Sequence, residues 1–456
     1  MNMGTGLVTL GATPTITASA NNLTIGGVID GPFGITKAGS GTLILSGLSN
    51  TAANNFSGNL TLDGGTTNIT ATANLAGGLV FGATNTSATV STLNLTAASA
   101  TFAGGLTAQT NSATASVIAI GTGQTLTVNG NTAIGSNAGS NTTTTLTVSG
   151  LGTLNFVNST ASATFFVGGS SATSGVGNVT TADFSGLSTL NITLGASSTI
   201  RVNPLITVTT DNVTGRKSIF RLAATSSLTA TTLTVGGGTT FNSDATQINQ
   251  LVLGSVANTI NVNTFNVGTG GRDIGTVTFA GASGTVVIRA RRRRPDRLQH
   301  GHRRRKHGDE RSRQSREPRR SQRRHLVQHH EHRQPGRTGN LASTFTFDTG
   351  TLDATSVNIG FRTGTATATN TLSSTLNLGG GTVTLGNVAG SGAGVDVGNN
   401  ANTGTGASNT NGTVNITGGN VTIYNSTALA PRFASARTTP PAKATSPRCS
   451  TSPAAT

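Results

Sequence analysis

The sequence predicts an all-β protein: a right-handed parallel β-helix (β-solenoid) interrupted by a disordered basic segment. One short phrase recurs along the chain, namely Thr-Leu, a polar or small residue, and then Leu or Val, followed by glycine-rich turns. The 456 residues include 62 Gly, one Tyr and no Trp, and only 10% are charged, against roughly 25% in an average protein. Because aromatic side chains usually supply much of a core, the core here has to be assembled from many small, repeated contributions.

The recurring phrase has the period of a half-buried strand. Alternation places its two apolar side chains on one face and its Thr or Asn on the other, and Thr, Val and Ile favour such a pleated surface. Gly-Gly, Asn-Gly and Ser-Gly pairs end the strands because glycine tolerates positive φ. The clearest copies are Thr42-Leu43-Ile44-Leu45, Thr92-Leu93-Asn94-Leu95, Thr125-Leu126-Thr127-Val128, Thr145-Leu146-Thr147-Val148, Thr189-Leu190-Asn191-Ile192, Thr232-Leu233-Thr234-Val235 and Thr375-Leu376-Asn377-Leu378.

The spacing of these phrases favours stacked rungs. Leu126 and Leu146 are 20 residues apart and Leu190 and Leu233 are 43 apart, near multiples of 21 to 22, and a fixed period of 20–50 residues is typical of solenoids. About 13 rungs are expected in residues 1–288, a rod of roughly 60 Å at a strand spacing of about 4.8 Å. Steps of 33 residues elsewhere, as from Leu60 to Leu93, predict that rung length is irregular. Two strands of an antiparallel hairpin would have the same local sequence pattern. We favour the solenoid because hairpin sandwiches usually need aromatic anchors, which this chain lacks.

The positive charge of the chain is concentrated in one segment. The net charge is +16, and residues 289–337 hold 19 of the 30 Lys and Arg, 5 of the 14 acids and all seven His. We therefore divide the chain into a β-solenoid domain (1–288), an Arg/His-rich disordered or out-of-frame segment (289–340), a continuation of the solenoid (341–430) and a disordered Pro/Ala/Ser/Thr-rich tail (431–456).

Three interpretations of the basic segment compete. An arginine-rich arm would bind phosphates by counterion release, but no aromatic residue is interleaved for base stacking, so nucleic acid is not an expected partner. A solvated loop between two solenoid segments is the second interpretation. The third, which we favour, is a reading-frame slip in GC-rich DNA, because the strand pattern stops after Ile288 and resumes at Leu341. The tail has the same character, so Cys449, the one cysteine, receives no redox role.

Residues 34–65 resemble the autotransporter-associated β-strand repeat of bacterial passenger domains. The first half resembles that family's Lys-x-Gly-x-Gly-Thr-Leu-x-Leu-x-Gly core, and in the second half Phe56 stands where Tyr is usual. The resemblance implies a secreted or surface-displayed β-helix, extracellular or at the outer-membrane surface, often within a longer chain. It rests on the runs Lys37-Ala38-Gly39-Ser40-Gly41-Thr42-Leu43-Ile44-Leu45-Ser46-Gly47 and Asn55-Phe56-Ser57-Gly58, with Leu60-Thr61-Leu62-Asp63-Gly64-Gly65 after them.

The residues that carry chemistry in solenoid enzymes are sparse. Glycoside hydrolysis usually needs two carboxylates about 5–10 Å apart, and most acids here sit beside Gly or Asn, where they favour turns. We predict no catalytic, cofactor-binding or metal-binding residues and no cofactor, hence a structural or adhesive protein and not an enzyme. The alternative is a polysaccharide-binding or polysaccharide-degrading β-helix. Outside the basic segment the acids are Asp30, Asp63, Asp183, Asp211, Asp244, Asp273, Asp348, Asp353 and Asp396.

The start of the chain lacks a basic segment followed by an apolar run, so no signal peptide is predicted in it, and no apolar stretch of about 18 residues predicts a transmembrane helix. The aromatic-girdled strands of an outer-membrane translocator are not found in the sequence. Polysaccharides or other surfaces are the expected partners. Because nothing at either terminus resembles a cap, end-to-end self-association is expected too.

Overall fold

The computed structural model describes residues 1–135 and, after them, a series of shorter ranges separated by gaps. The basic segment after Arg289 and the tail after residue 423 lie outside the described residues. The further described ranges are 142–168, 178–203, 217–236, 248–268, 274–280, 285–289, 341–347, 350–354, 357–359, 362–364, 371–385, 395–398, 400–402 and 409–423.

Secondary structure in these ranges is β apart from one short 3-10 helix, Ala52–Asn54. The first strands are β1 Val8–Thr9, β2 Thr15–Thr17, β3 Asn22–Ile25, β4 Ile29–Asp30, β5 Ile35–Ala38, β6 Thr42–Leu45, β7 Leu60–Asp63, β8 Gly65–Ile69, β9 Ala73–Leu75, β10 Leu79–Phe81, β11 Ser91–Leu95, β12 Ala100–Phe102, β13 Leu106–Ala108, β14 Ser112–Ile120, β15 Thr125–Val128 and β16 Thr132–Ile134. The middle strands are β17 Thr143–Asn158, β18 Thr164–Val167, β19 Val179–Leu194, β20 Thr199–Val202, β21 Lys217–Arg221, β22 Thr225–Val235, β23 Ile248–Leu253, β24 Ala257–Val267, β25 Ile274–Phe279 and β26 Thr285–Arg289. The last strands are β27 Leu341–Phe347, β28 Gly350–Ala354, β29 Val357–Ile359, β30 Arg362–Gly364, β31 Thr371–Leu378, β32 Thr382–Leu385, β33 Val395–Val397, β34 Asn400–Asn402, β35 Asn409–Ile416 and β36 Asn420–Ile423.

The strands form a parallel β-solenoid with three faces, and every strand pair among the described residues is parallel. Face A consists of β2, β5, β7, β10, β13, β16, β18, β20, the second halves of β22 and β24, β29 and β33. Face B consists of β3, β6, β8, β11, β14, the first halves of β17 and β19, β21, β23, β25, β27, β31 and β35. Face C consists of β9, β12, β15, the second halves of β17 and β19, the first halves of β22 and β24, β26, β28, β32 and β36.

The predicted solenoid is therefore confirmed, and the hairpin alternative is wrong for the described strands. Val148 and Leu154, which the sequence places on either side of a tight turn, lie on one long strand, β17, that bends from face B into face C. Gly150 makes the bend with a φ of 108°, a conformation that costs glycine little. The right-handed sense of the coil stays a prediction.

Alternation along each strand builds the core, as the sequence predicts. In β15, Leu126 and Val128 point inward and are fully buried, whereas the two threonines point outward. Leu126 pairs in register with Leu154, and Leu154 pairs with Leu190, so identical side chains stack along the axis. Burying such a side chain contributes about 1.5–3 kcal/mol, and each rung adds its own small set.

Phenylalanine rings fill the core of the middle rungs. Phe156 and Phe165 meet edge to face with centroids 4.9 Å apart, and Phe220 lies 5.4 Å from both Phe165 and Phe184. These separations are typical of favourable aromatic pairs. The core is thus richest where four rings from adjacent rungs come together.

The predicted rung length is wrong in its value, although its irregularity is confirmed. Leu23 and Leu43 on face B are 20 residues apart, whereas Leu154 and Leu190 on face C are 36 apart. The Thr-Leu phrase occurs on all three faces. The spacing between two copies is therefore a rung length only when both copies lie on the same face. Face B accordingly has ten strands before residue 290, not the expected 13, and they span about 45 Å at about 4.8 Å each.

Most of the variation arises at one corner. Nine residues separate Phe81, at the end of a face A strand, from Ser91, at the start of the next face B strand. The gaps in the described residues after β16, β18, β20, β22 and β24 fall at this same A–B corner. In contrast, β17 and β19 run unbroken from face B into face C, and β22 and β24 run unbroken from C into A. In these rungs the larger gaps therefore lie away from face C.

The coil resumes in register beyond the basic segment. Val277 pairs with Phe345 on face B and Ile288 pairs with Leu352 on face C. On face A, Phe265 pairs directly with Val357. Among the described residues, face A therefore has no strand in the rung that holds β25 and β26, and the basic segment begins where that strand would follow.

Candidate functional site

The outward sides of the three faces are the surfaces available to a partner, and they differ in charge. Outward positions repeat every rung, so that side chains form columns about 4.8 Å apart along the axis. Most members of the columns are Thr, Asn or Ser, with Val, Ala, Ile or Phe at a few positions. Neighbouring amides are linked: Asn191 Nδ2 donates to Asn155 Oδ1 at 2.9 Å, and Asn415 Nδ2 donates to Asn377 Oδ1 at 2.8 Å. Such bonds fix the side chains in one orientation.

Face C carries no ionisable side chain from β9 to the first half of β24. Its central column has seven members, each partly exposed, and on either side runs a second column of mainly threonine. The central column is Asn74, Thr101, Thr127, Asn155, Asn191, Ser227 and Thr259. The flanking columns are Thr125, Thr153, Thr189 and Thr225 on one side and Val157, Thr193, Thr229 and Asn261 on the other.

Faces A and B carry charge in the middle rungs. On face A the guanidinium carbon of Arg201 lies 3.9 Å from the ring centroid of Phe166, a cation–π contact, and burial lowers the pKa of Arg201 to about 10. On face B, Arg221 Nε lies 3.8 Å from Asp183 Oδ2, with both side chains about one-third exposed (40% and 32%). Lys217 lies exposed on the same strand as Arg221.

Lys37, the lysine of the repeat-like motif, is inside the solenoid. The burial pattern of β5 places Ile35 and Lys37 inward, and Lys37 is fully buried. Its ammonium group donates to the carbonyl oxygens of Ala38, Gly39 and Gly64 at 2.9, 2.7 and 3.0 Å. The lysine therefore closes a corner of the coil and is not available to a partner.

The second half of the motif is also structural. Phe56 is fully buried, and the side chain of Asn55 lies between three backbone groups. Asn55 Oδ1 accepts from the amide of Ser49 at 2.8 Å, and Nδ2 donates to the carbonyls of Ser49 at 2.6 Å and Asn74 at 2.8 Å. Asn74 belongs to the next rung, so this amide joins successive rungs.

The described carboxylates are engaged by their own turns and loops. Asp30 accepts from the amide of Gly31 at 2.7 Å, and Asp183 accepts from the amide and hydroxyl of Ser185 at 3.0 and 2.6 Å. Asp63 Oδ1 accepts from Ser87 and Thr89, both at 2.5 Å, and from the amide of residue 83 at 3.3 Å. Burial alone would raise the pKa of Asp63, but these hydrogen bonds outweigh it and lower the pKa. These three residues lie on strands β4, β7 and β19 and not in the turns expected for them. Asp211, Asp244, Asp273 and Asp348 lie outside the described residues, as do the side chains of Asp353 and Asp396.

A column of buried hydroxyl and amide side chains lines the inside of the A–B corner. Thr144, Thr180 and Ser218 follow one another in register and are almost fully buried. Thr144 Oγ1 donates to the carbonyl of Thr110 at 2.7 Å, and Asn249 Oδ1 accepts from the amide of Ser218 at 3.0 Å. Neither this column nor the burial of Lys37 is among the features predicted from the sequence. Ile35 and Lys37 are two residues apart on one strand, so the alternation that buries Ile35 also predicts the burial of Lys37.

The described residues contain neither a metal-binding cluster nor a membrane-spanning helix. No group of three or more His, Cys, Asp or Glu side chains comes together there in a way that could hold a metal ion. No helix in the described part of the chain is long and apolar enough to span a membrane. The seven His and Cys449 lie in ranges that the structure does not describe.

The fold and its surfaces define a parallel β-solenoid with polar, regularly spaced outer columns. A stretch of 69 residues, 15% of this chain, is 49% identical to the adhesin BmaC autotransporter of Brucella suis biovar 1 (strain 1330). The match covers 2% of that protein's length. No family model and no solved structure matches the chain. The similarity agrees with the expected relation to autotransporter passengers, and the particular repeat family stays a prediction.

Proposed function

We propose that this chain is a non-catalytic structural and adhesive β-solenoid, secreted or displayed on a cell surface, and that it forms part of an autotransporter-like passenger. The observation that supports this most directly is the 49% identity of 69 residues to an autotransporter adhesin, in a chain whose described strands form one parallel coil. A solenoid of this kind is an extended scaffold with surfaces that repeat along its length.

The geometry suits a spacer that presents flat faces. Thirteen strands stack on face B, so the described coil is about 60 Å long at about 4.8 Å per rung. Each rung contacts its neighbours alone, and stability is a sum of such contacts, so length can grow without a larger core. Adhesion through such a rod would use many weak, repeated polar contacts.

The enzymatic alternative receives less support from the described carboxylates. A hydrolytic pair lies about 5–10 Å apart. Asp63 closes a face A strand next to β8, and Asp183 lies on β19, which is four face B steps from β8. At about 4.8 Å per step the two are roughly 19 Å apart along the axis. Both also bind their own loops.

Bead adhesion tests the proposal. Latex beads coated with the purified full chain are allowed to settle on glass, on immobilised polysaccharide and on cultured epithelial cells, and retention under shear is compared with that of albumin-coated beads. The proposal expects retention well above albumin on one or more surfaces. Retention equal to albumin on all of them contradicts it.

A further inference from the structure

Face C carries no ionisable side chain on seven successive strands, from β9 to the first half of β24. Seven strands at about 4.8 Å give it a length of about 30 Å along the axis. The absence of ionisable side chains there contrasts with Asp183, Arg221 and Lys217 on face B and Arg201 on face A. Building on the proposed adhesive function, we propose that face C binds an uncharged polysaccharide lying along the solenoid axis.

The chemistry of the columns favours sugar hydroxyls. A neutral polysaccharide offers repeated O–H groups that donate and accept, and Thr, Ser and Asn side chains do both. A charged polymer would find no counter-charge on this face and would lose hydration on binding. A protein partner would favour an apolar, aromatic centre, whereas the most exposed apolar side chain of these columns is Val157, at 39%. The face is therefore matched to a neutral, polar, repetitive polymer.

Two structural features make face C accessible and ordered. Strands β17 and β19 enter it and β22 and β24 leave it without interruption, so no excursion of the chain rises at those edges. The bond from Asn191 Nδ2 to Asn155 Oδ1 holds both amides in place. Side chains that are fixed before binding lose less entropy when a ligand arrives.

Co-sedimentation of the full chain with insoluble polymers tests the inference. We expect it to sediment with amorphous cellulose or chitin, and this sedimentation to be nearly insensitive to salt, because no ion pair is involved. The chain has a net charge of +16, most of it in residues 289–337, so retention on alginate through that segment should be abolished by salt and should not change in variants of face C. Introducing charge on the face, as N191E with S227E, should weaken sedimentation at least tenfold. The matched control, T66E with T92E, places the same charges on outward positions of two adjacent face B strands and should have little effect.

Three outcomes would overturn the inference: no sedimentation of the wild type with either neutral polymer, sedimentation with those polymers that salt abolishes, or equal loss in the face B control. Circular dichroism of both variants establishes that they fold. If wild-type beads adhere to glass or cells while the chain ignores both neutral polymers, the adhesive function stands and the face C assignment fails. If the beads adhere to nothing, the adhesive function itself fails.

Discussion

The ammonium group of Lys37 donates a hydrogen bond of 3.0 Å to the carbonyl oxygen of Gly64, 27 residues further along the chain on the next rung. The carbonyls of Ala38 and Gly39 accept its other two bonds, so all three donors of the ammonium are used. A buried charge is costly unless it is hydrogen-bonded in this way. The lysine of the repeat-like motif thus ties two rungs together from the inside.

Replacing this lysine by an apolar side chain of similar length should destabilise the coil. K37M keeps the stem but leaves the three carbonyls without their donors, which is expected to cost about 1–3 kcal/mol. Urea unfolding followed by far-UV circular dichroism measures the loss. K217M, at an exposed position of face B, is the control and should change stability by less than about 0.5 kcal/mol. Equal midpoints for the two variants would contradict the structural role of Lys37.

The same residue should make stability depend on pH in the alkaline range. Burial lowers the pKa of Lys37 below its ordinary value of 10.5. Between the lowered pKa and 10.5 the unfolded chain holds more protons than the folded one, so stability rises with pH through that window. The thermal midpoint of the wild type should therefore increase relative to that of K37M as the pH approaches 10.5. A difference that stays constant from neutral pH to 10.5 would refute the expectation.

The phenylalanine cluster should be the most sensitive part of the core. Phe220 contacts two other rings, Phe165 and Phe184, and F220A should cost about 3–5 kcal/mol because it removes packing and leaves a cavity. The adjacent Ile219 points outward, so I219A should cost far less. Urea midpoints of the two variants give the comparison. A loss for F220A no greater than for I219A would show that the cluster does not carry the middle rungs.

Gly39, at a corner of the coil, should be costly to replace for two reasons that can be measured separately. Gly39 has a φ of 78°, and a Cβ there would lie 2.5 Å from the carbonyl oxygen of Ala18. Gly4 has a similar φ of 76° but nothing within 4 Å of its Cβ position. G4A should therefore cost only the backbone strain, about 1 kcal/mol, and G39A roughly 2 kcal/mol or more. Thermal melts distinguish the two; equal costs would mean that rung contact adds nothing to backbone strain.

Local residue patterns were sufficient to predict the strands. The assignment of strands to faces could not be predicted, because it depends on the lengths of the connections between them. Period-two alternation correctly placed Leu126 and Val128 inside and Thr127 outside, because that pattern depends on adjacent residues alone. Which face a strand occupies depends on how many residues the A–B corner takes up, and no residue type fixes that number. The surface was harder still: the neutrality of face C emerges only when residues as distant as Asn74 and Thr259 are brought into one stack.

The basic segment yields a prediction about the coding DNA. Strands β25 and β26 are followed by no face A strand among the described residues, and Phe265 on β24 pairs directly with Val357 on β29. The strand that the coil would place next is therefore the one that the basic segment replaces. Glycine codons rich in G and C give arginine codons when read out of frame, so a shifted frame there would produce such a segment.

We expect one of the shifted reading frames between codons 289 and 340 to encode a Gly-, Thr- and Asn-rich sequence that contains Thr-Leu-x-Leu phrases. A chain that carries this restored text should contain the missing face A strand. It should unfold at a higher temperature than the present chain, because each added rung contributes its own contacts to its neighbours. Sequencing the region and comparing thermal melts of the two chains makes the test. If both shifted frames contain stop codons, or lack the alternating sequence pattern of a strand, the basic segment is a genuine insertion.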